Sequence, residues 1–353
     1  MSESHVDMNV QATLMKRPGP NYPEKEDIFQ YKYVPPIPTD LVKDGQIVIR
    51  NMFISIDATN RVWISGVPSY MKPINPGDLM RGMGVAEVLF SKNKKYKPGD
   101  KVLGLTYWQK YSVVEGKEFT PLPPSYPNYE EFLGVLGISG LTAYFGLKKI
   151  GDLKEGETVV VSTAAGAVGE VVVQLAKHAG CRVVGLTGSD SKCDYVRSIG
   201  ADEAINYKKG SLKENLKKAC PKGVDVYFDN VGGEMLDELL MLIRDNSRII
   251  LCGSISSYND LNSSKPDVYK LKNYSRLVIK RALMKGFLYF DYHKEFPQAL
   301  AEIAALVKQG KMKYKVDMRV GVEECGRGLA DLLQGKNTGK VIIRVDDTAK
   351  ARL

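Results

Sequence analysis

Apolar residues change their spacing near residue 130, and this change divides the chain into two regions. In the first region, short apolar runs alternate with turns such as Pro76-Gly77-Asp78, a pattern typical of irregular β structure. The runs cover 46–50, 84–90, 101–107 and 111–114. The proline-rich stretch 120–127 marks the crossover to the second region.

Beyond residue 130, apolar strands alternate with amphipathic helices. Strands are predicted over 158–164, 182–187, 204–206, 224–229, 247–252 and 282–289, with helices over 168–178, 191–198, 212–219 and 233–242. Six strands with crossover helices predict an α/β fold, a doubly wound parallel sheet that binds ligands at the carboxyl ends of its strands. The tail from about residue 314, which ends in a strand over 339–345, is expected to rejoin the first region.

The turn between the first of these strands and its helix carries a dinucleotide-binding fingerprint in which alanine replaces the first glycine. Gly166, at the second position of the fingerprint, lets the backbone approach a pyrophosphate. Gly169, at the third, lets helix and strand pack closely. The helix N-terminus offers N–H groups to the phosphates. The alternative is a purely structural turn. The predicted cofactor contacts here are Ala164, Gly166, Ala167, Val168 and Gly169.

The end of the second strand indicates which dinucleotide is bound. An NAD site usually places an acidic residue there, whereas this chain has Thr187-Gly188-Ser189. Lys192 lies a short reach away and is able to pair with a 2′-phosphate, although an ordinary solvated lysine is the alternative. The sequence therefore favours NADP(H) over NAD(H).

Composition narrows the function classes. The 353 residues suit two domains, and the net charge of +9 comes from scattered basic residues without a basic–aromatic stripe, so nucleic-acid binding is not expected. The five cysteines are dispersed without a CxxC pair, as in proteins with reduced thiols. The most apolar stretch is too short and too interrupted for a membrane span.

The two ends of the chain bear on location. The N-terminus is acidic and polar and shows no signal-peptide pattern. Ala351-Arg352-Leu353 has the small–basic–leucine form of a peroxisomal signal, and an accidental match is the alternative. The expected location is cytoplasmic, with the peroxisomal matrix as the alternative.

Several segments together carry a family resemblance: 140–144, 164–169, 188–192, 205–207, 227–233, 252–258, 286–287 and 337–340. With them the chain resembles the zinc-independent medium-chain dehydrogenase/reductases, closest to the prostaglandin, alkenal double-bond and curcumin reductases. The resemblance implies a GroES-like, mostly β catalytic domain over 1–133 with 314–353. It also implies a Rossmann NADP-binding domain over 134–313, and a homodimer.

The resemblance also implies cofactor contacts outside the fingerprint. Lys192 and Tyr207 would hold the 2′-phosphate, with Ser189 at the strand end, and Asn230 would border the nicotinamide ribose. Alternatively, Asn230 caps the following helix, and the aromatic residues after residue 286 belong to the hydrophobic core. Around the nicotinamide, the implied residues are Cys252, Gly253, Ser254, Ile255, Phe287, Leu288, Tyr289 and Asn337.

The chemistry follows from the missing zinc ligands. Zinc-using relatives hold the metal with a Cys, a His and an acidic residue of the first domain, yet residues 6–177 contain neither Cys nor His. No metal is expected, so alcohol oxidation is disfavoured. NADPH-dependent reduction of the C=C bond of α,β-unsaturated aldehydes and ketones is predicted, with the Tyr258 phenol as the catalytic donor. Quinone reduction and a non-catalytic NADPH-binding role are the alternatives.

The substrate side departs from the group. Where the reductase group usually has Asp-Pro-Tyr-Met-Arg in the first domain, this chain has Asp57-Ala-Thr-Asn-Arg61. The substrate-binding residues of the group are therefore poorly transferable to this chain. Tyr70, Met83 and Trp108 are candidate pocket walls by position, and a core role for Trp108 is equally open. The long polar loop over 254–276 is a candidate lid.

Overall fold

The computed structural model describes residues 8–19, 22, 27–35, 37–263 and 268–345. They fall into two compact units. The first unit takes the described residues within 1–133, 259–266 and 316–353, and the second takes those within 134–258 and 267–315. The C-terminal tripeptide that resembles a peroxisomal signal lies outside the described residues.

The strands, in chain order, are β1 (Asn9–Leu14), β2 (Phe29–Val34), β3 (Gln46–Ile56), β4 (Arg81–Ser91), β5 (Lys101–Tyr107), β6 (Tyr111–Glu115), β7 (Thr120–Pro121), β8 (Thr158–Val161), β9 (Arg182–Thr187), β10 (Glu203–Asn206), β11 (Val224–Asp229), β12 (Ile243–Leu251), β13 (Leu283–Gly286), β14 (Val316–Val320) and β15 (Lys340–Arg344). The helices are α1 (Thr59–Trp63), α2 (Ile138–Gly146), α3 (Gly169–His178), α4 (Asp190–Ser198), α5 (Leu212–Ala219), α6 (Gly233–Leu240), α7 (Arg276–Lys280), α8 (Phe296–Lys308) and α9 (Glu324–Leu333). In the described chain, no helix combines the length and the apolar character that a membrane span needs.

In the first unit, β1 and β2 form an antiparallel pair, and a larger sheet has the order β14-β15-β3-β4-β5-β7 with β6 also on β3. β14 and β15 are parallel, while the other pairs of this sheet are antiparallel. Its largest core cluster includes Leu14, Ile56, Trp63, Trp108 and Val341. The tail thus contributes two strands, β14 and β15, to this mostly β unit.

In the second unit, six parallel strands have the order β10-β9-β8-β11-β12-β13, with crossover helices between them. Every residue of β8 and β11 is buried, because helices cover both faces of a doubly wound sheet. This arrangement confirms the predicted Rossmann fold, and it brings the carboxyl ends of β8, β9 and β11 to one edge.

Several boundaries differ from the prediction. β8 ends at Val161 because the next residues form the turn, α6 stops at Leu240, and β12 begins at Ile243 rather than 247. The predicted strand over 282–289 is wrong at both ends: β13 ends at Gly286, and a 3-10 helix covers Tyr289–Glu295. Leu288 and Tyr289 are therefore not strand residues.

Candidate functional site

The turn between β8 and α3 is held by main-chain contacts. The N–H of Gly166 donates to the Thr163 carbonyl at 2.9 Å, and that of Ala164 donates to Leu186 at 3.0 Å. Thr163 has φ 53°, an unusual conformation for a β-branched residue. A Cβ on Gly169 would lie 2.2 Å from the Thr163 carbonyl oxygen. Only glycine therefore allows α3 to begin this close to the turn.

The predicted contacts in this turn surround the start of α3. Ala164 and Gly169 are buried, whereas Gly166, Ala167 and Val168 are partly exposed. The first N–H groups and the positive end of the dipole of this ten-residue helix favour an anion at that point. The turn has the shape and polarity that a pyrophosphate requires.

A cluster of polar and cationic side chains lies where β9 and β10 end. The Ser189 hydroxyl accepts the N–H of Lys192 at 3.3 Å and caps α4. Tyr207 lies over Gly188, whose added Cβ would be 3.0 Å from the phenol oxygen. Burial lowers the pKa of Lys192, and the positive charge of Lys208 lowers it further. A half-buried ammonium beside another lysine is stabilised by a bound anion.

A buried carboxyl connects this cluster's helix to the turn. Glu170, in the first turn of α3, accepts the Tyr195 hydroxyl of α4 at 2.5 Å and the Lys315 N–H at 3.1 Å. The Lys315 ammonium lies 4.2 Å from the centre of the Tyr195 ring. Burial raises the pKa of Glu170 to about 8. This link is not evident in the sequence, because an acidic residue in a first helical turn is ordinarily a solvated helix-dipole partner.

Asn230 connects the ends of β11 and β8. Its side-chain amide donates to the Ser162 carbonyl at 2.7 Å, and its N–H donates to the Ser162 hydroxyl at 2.8 Å. The N-cap of α6 is Gly232 without a side-chain cap, so Asn230 does not cap that helix. The buried carboxylate of Asp229 accepts the N–H groups of Val231 and Gly232, both at 2.9 Å. These bonds fix the loop that follows β11.

The segment after β12 borders a cavity. The cavity has a volume of about 520 Å³, and Cys252, Gly253 and Ser254 are among its lining residues. Ile255 begins a 3-10 helix that extends to Asp260 and includes Tyr258. Burial raises the pKa of the Cys252 thiol to about 12, so this cysteine is not a ready nucleophile.

The Tyr258 phenol lies against the main chain of this segment. Its oxygen accepts the Ser254 N–H at 3.4 Å. A Cβ on Gly253 would lie 3.1 Å from the same oxygen, so glycine permits the approach. The hydroxyl is thereby placed beside the residues that the resemblance assigns to the nicotinamide.

The aromatic run after β13 packs against helices. A Cβ on Gly146 of α2 would lie 2.9 Å from the Phe287 ring, and Leu288 is half-buried. Tyr289 stacks on Phe296 with the ring planes 13° apart and the centres 5.7 Å apart. In this unit the Phe287 and Tyr289 rings thus make packing contacts of the kind the core alternative describes.

The first unit holds the predicted pocket walls and Asn337. Tyr70 is 49% exposed and its hydroxyl bonds that of Thr59, while Met83 is half-buried against a small core cluster. Trp108 is fully buried in the main core, so its position is that of a core residue rather than a pocket wall. The Asn337 amide donates to the Gly339 carbonyl at 2.9 Å.

Two polar residues of the first unit were not singled out from the sequence. Lys340 is buried, and its ammonium contacts the Asp57 carboxylate at 2.8 Å and the Ile56 carbonyl at 2.6 Å. Arg61 is also buried and donates from Nε to the Asn259 side chain at 2.9 Å. The sequence does point to these residues, because Asp57, Arg61 and Lys340 all lie in segments that carry or border the family motifs.

Hydrogen bonds hold the described parts of the candidate lid, residues 254–276, in place. In the first unit, Arg61 also donates to the Asn262 side chain at 3.2 Å. In the second unit, the buried carboxylate of Asp237 accepts the N–H groups of Lys272 and Asn273 at 3.0 and 2.8 Å. Residues 264–267 lie outside the described chain.

The residues present do not fit a zinc centre. Across the described ranges, no group of three or more His, Cys, Asp or Glu side chains is arranged to hold a metal ion. Among the described residues of the first unit, Cys325 is the one cysteine and there is no histidine. Cys325 is buried in the core, where burial raises the pKa of its thiol.

Comparison with known proteins gives consistent matches over most of the chain. A family model described as zinc-binding dehydrogenase matches residues 167–305, and one described as the N-terminal domain of oxidoreductase matches residues 11–122. The NADPH-dependent curcumin reductase of Escherichia coli is 39% identical over 86% of this chain and 88% of its own length. The NADP⁺-dependent 2-alkenal reductase of Nicotiana tabacum is 38% identical over 85% of this chain and 88% of its own. A crystal structure of CurA from Vibrio vulnificus in complex with NADPH has a TM-score of 0.88 at 35% identity, and it covers 96% of this chain and 99% of CurA.

Proposed function

Because this chain belongs to the medium-chain dehydrogenase/reductase family, in the group of the curcumin, 2-alkenal and prostaglandin reductases, we propose that it reduces activated C=C bonds with NADPH. The proposed substrates are α,β-unsaturated aldehydes and ketones. The observation that carries the proposal is the strand end itself, where an NAD site would have an acid and this chain has the Lys192 ammonium and the Tyr207 phenol. The reductase names of the full-length relatives support the same reaction.

The residues that would hold the cofactor follow the edge of the parallel sheet. The turn around Gly166 and Gly169 would take the pyrophosphate at the N-terminus of α3. Ser189, Lys192 and Tyr207 would take the 2′-phosphate. At the nicotinamide end, the proposed residues are Asn230, Cys252, Gly253, Ser254, Ile255, Phe287, Leu288, Tyr289 and Asn337.

When bound, NADPH supplies a hydride to the β-carbon of the conjugated double bond. Negative charge then develops on the carbonyl oxygen of the substrate, and we propose that the Tyr258 hydroxyl donates a hydrogen bond to it. A proton from Tyr258 or from water adds at the α-carbon and completes the saturated product. The phenol is suited to this role because its contacts with Gly253 and Ser254 fix its position before substrate arrives.

The test is a comparison of acceptors with one enzyme preparation. NADPH consumption is followed by absorbance with trans-2-nonenal, an alkyl enone and a 1,4-quinone, with NADH in parallel, and products are identified by mass spectrometry. The proposal expects saturated aldehyde and ketone products and a preference for NADPH. Turnover of the quinone alone would replace it with quinone reduction, and tight NADPH binding without turnover would favour a binding role.

We also propose that the protein is a homodimer paired through the outer edge of β13. Among the described residues this strand is the last of the parallel sheet, and its Leu283 is 46% exposed. The neighbouring α7 exposes Val278 and Ile279 at 80% and 58%. An open strand edge with exposed apolar side chains favours pairing with a second copy. Light scattering would give the mass, and Ile279→Lys should yield monomers if this edge is the interface.

A further inference from the structure

A second lysine lies at the proposed 2′-phosphate site. Lys208 directly follows Tyr207 at the end of β10, and its positive charge contributes to the lowered pKa of Lys192. A Cβ built on Gly188 would lie 3.4 Å from the Lys208 side-chain carbon Cε and 3.0 Å from the Tyr207 oxygen. Lys208 and Tyr207 therefore cover the same glycine at the tip of β9, close to the Lys192 ammonium.

The neighbouring acid does not neutralise Lys208. The carboxylate of Asp190, at the start of α4, accepts the Asn206 amide at 2.8 Å and the Lys209 ammonium at 2.5 Å. Lys209 is thus paired with this acid. Within the described residues, the Lys208 ammonium has no acidic partner. Lys209 therefore neutralises Asp190, whereas the charge of Lys208 adds to that of Lys192.

The charge of a phosphate monoester matches this arrangement. A monoester carries between about one and a half and two negative charges at neutral pH, more than one ammonium group neutralises. Two ammonium groups at one place repel each other when no anion is bound, and a bound dianion removes that repulsion. An uncharged ribose hydroxyl, as in NADH, would leave the repulsion in place.

We propose that Lys208 is a second cationic contact of the 2′-phosphate and that it acts with Lys192 to set the preference for NADPH over NADH. This inference rests on the proposed function. It adds a specificity residue that neither the strand-end pattern nor the family resemblance singled out. Asp190 takes part indirectly, because its pairing with Lys209 and Asn206 occupies a charge that would otherwise repel phosphate.

The experiment uses two fragments of the cofactor that differ in one phosphate. Binding of 2′,5′-ADP and of 5′-AMP to the full-length protein is measured by calorimetry, for the wild type, Lys208→Ala, Lys208→Arg and Lys213→Ala. Lys213 is an exposed lysine on the adjacent α5 and serves as the matched control for net charge. Loss of a charge-assisted contact predicts that K208A weakens 2′,5′-ADP by about tenfold and 5′-AMP by less than about twofold.

The other variants keep the outcome interpretable. K208R keeps the charge and should retain most of the affinity for 2′,5′-ADP, while K213A should bind both fragments as the wild type does. An unchanged affinity in K208A, or an equal loss for both fragments, would overturn the inference. A wild type that binds 2′,5′-ADP no tighter than 5′-AMP would instead overturn the NADPH proposal itself.

Discussion

Two regions at the carboxyl edge of the parallel sheet are built by different means. The turn before α3 consists of small residues whose main-chain bonds, from Ala164 and Gly166, fix its shape. The region where β9 and β10 end consists of side chains, with Tyr207 and Lys208 over Gly188 and the Lys192 ammonium within reach of the Lys208 charge. A main-chain region recognises what every dinucleotide shares, whereas a side-chain region distinguishes one dinucleotide from another.

This difference has a consequence for mutation. A change in the turn alters backbone shape, so it should affect all dinucleotides alike. A change at the strand end alters charge, so it should affect only the phosphorylated cofactor. Affinity and preference are then separate properties of one site, and substitutions in each region are able to test that separation.

The largest effect is expected from Gly169→Ala. The added methyl group would lie 2.2 Å from the Thr163 carbonyl oxygen and 2.7 Å from the Ala164 Cα, so the backbone of the turn must shift. Overlap with backbone atoms costs several kcal/mol, so NADPH and NADH should both bind at least about a hundredfold more weakly. Fluorescence titration of both cofactors measures this loss.

Gly166→Ala provides the graded comparison. Its methyl group would meet the Thr163 side-chain methyl at 3.0 Å and the carbonyl oxygen at 3.2 Å, which a small adjustment relieves. The loss should be smaller than for G169A and again equal for the two cofactors. A G169A variant that discriminates between NADPH and NADH would contradict the assignment of the turn to shape alone.

Lys192→Ala tests the side-chain region. Removal of an ammonium group that contacts a phosphate should weaken NADPH by about thirtyfold and NADH by less than about twofold. The KM values for the two cofactors, measured with one saturating enone, provide the comparison. Equal changes in both would remove Lys192 from the 2′-phosphate and leave the strand end without its proposed role.

The same division explains what the sequence predicts well. The parallel sheet and the fingerprint turn follow from local patterns, since a buried run such as Val224–Asp229 allows few alternatives. The residue at which a strand or helix ends is harder to predict where tertiary packing decides it. β13 stops at Gly286, and Tyr289 lies in the 3-10 helix beyond it and stacks on Phe296, a contact that the spacing of these residues does not indicate.

The polar links in the structure were the least predictable part. The bond between Glu170 and Tyr195 joins residues 25 positions apart, and that between Asp57 and Lys340 joins residues 283 apart. Taken alone, Glu170, Asp57 and Lys340 each resemble an ordinary surface charge. Burial of a charged group becomes evident only when the elements around it are assembled, because the partner that compensates its desolvation comes from another element.

Tyr258→Phe lies outside both regions and should affect neither affinity. Loss of a hydrogen bond to the developing negative charge should lower turnover with enones by about tenfold, less than the factor of about 10²–10³ that a dedicated oxyanion-hole donor contributes. The dissociation constant for NADPH should stay within about twofold of the wild type, since the phosphate contacts are untouched. Stopped-flow measurement of hydride transfer separates the two quantities. Full activity in the phenylalanine variant would end the catalytic assignment.

The smallest effect on cofactor binding is expected at the link between the two regions, where the change is one of stability. Glu170 on α3 accepts the Tyr195 hydroxyl of α4, and burial raises the pKa of this carboxyl from 4.5 to about 8. An unfolded chain would ionise it near its ordinary value, so between these two values the folded state retains a proton that the unfolded state loses. The stabilisation is complete below about pH 4.5 and is lost as the pH rises through about 8.

Glu170→Gln removes this titration and keeps an oxygen that can accept from Tyr195 and from the Lys315 N–H. Burial raises the pKa of the Tyr195 hydroxyl too, so that group stays protonated over the same range. Relative to the wild type, E170Q should gain stability as the pH rises from 6 to 9, by on the order of a few kcal/mol or about 5 °C in Tm. Thermal unfolding at both pH values measures the change, and Tyr195→Phe controls for loss of the hydrogen bond. A Tm difference that does not vary with pH would mean that Glu170 is ionised in the folded protein. In that case the Lys315 ammonium near the Tyr195 ring, rather than a retained proton, would compensate the buried charge that joins the two regions.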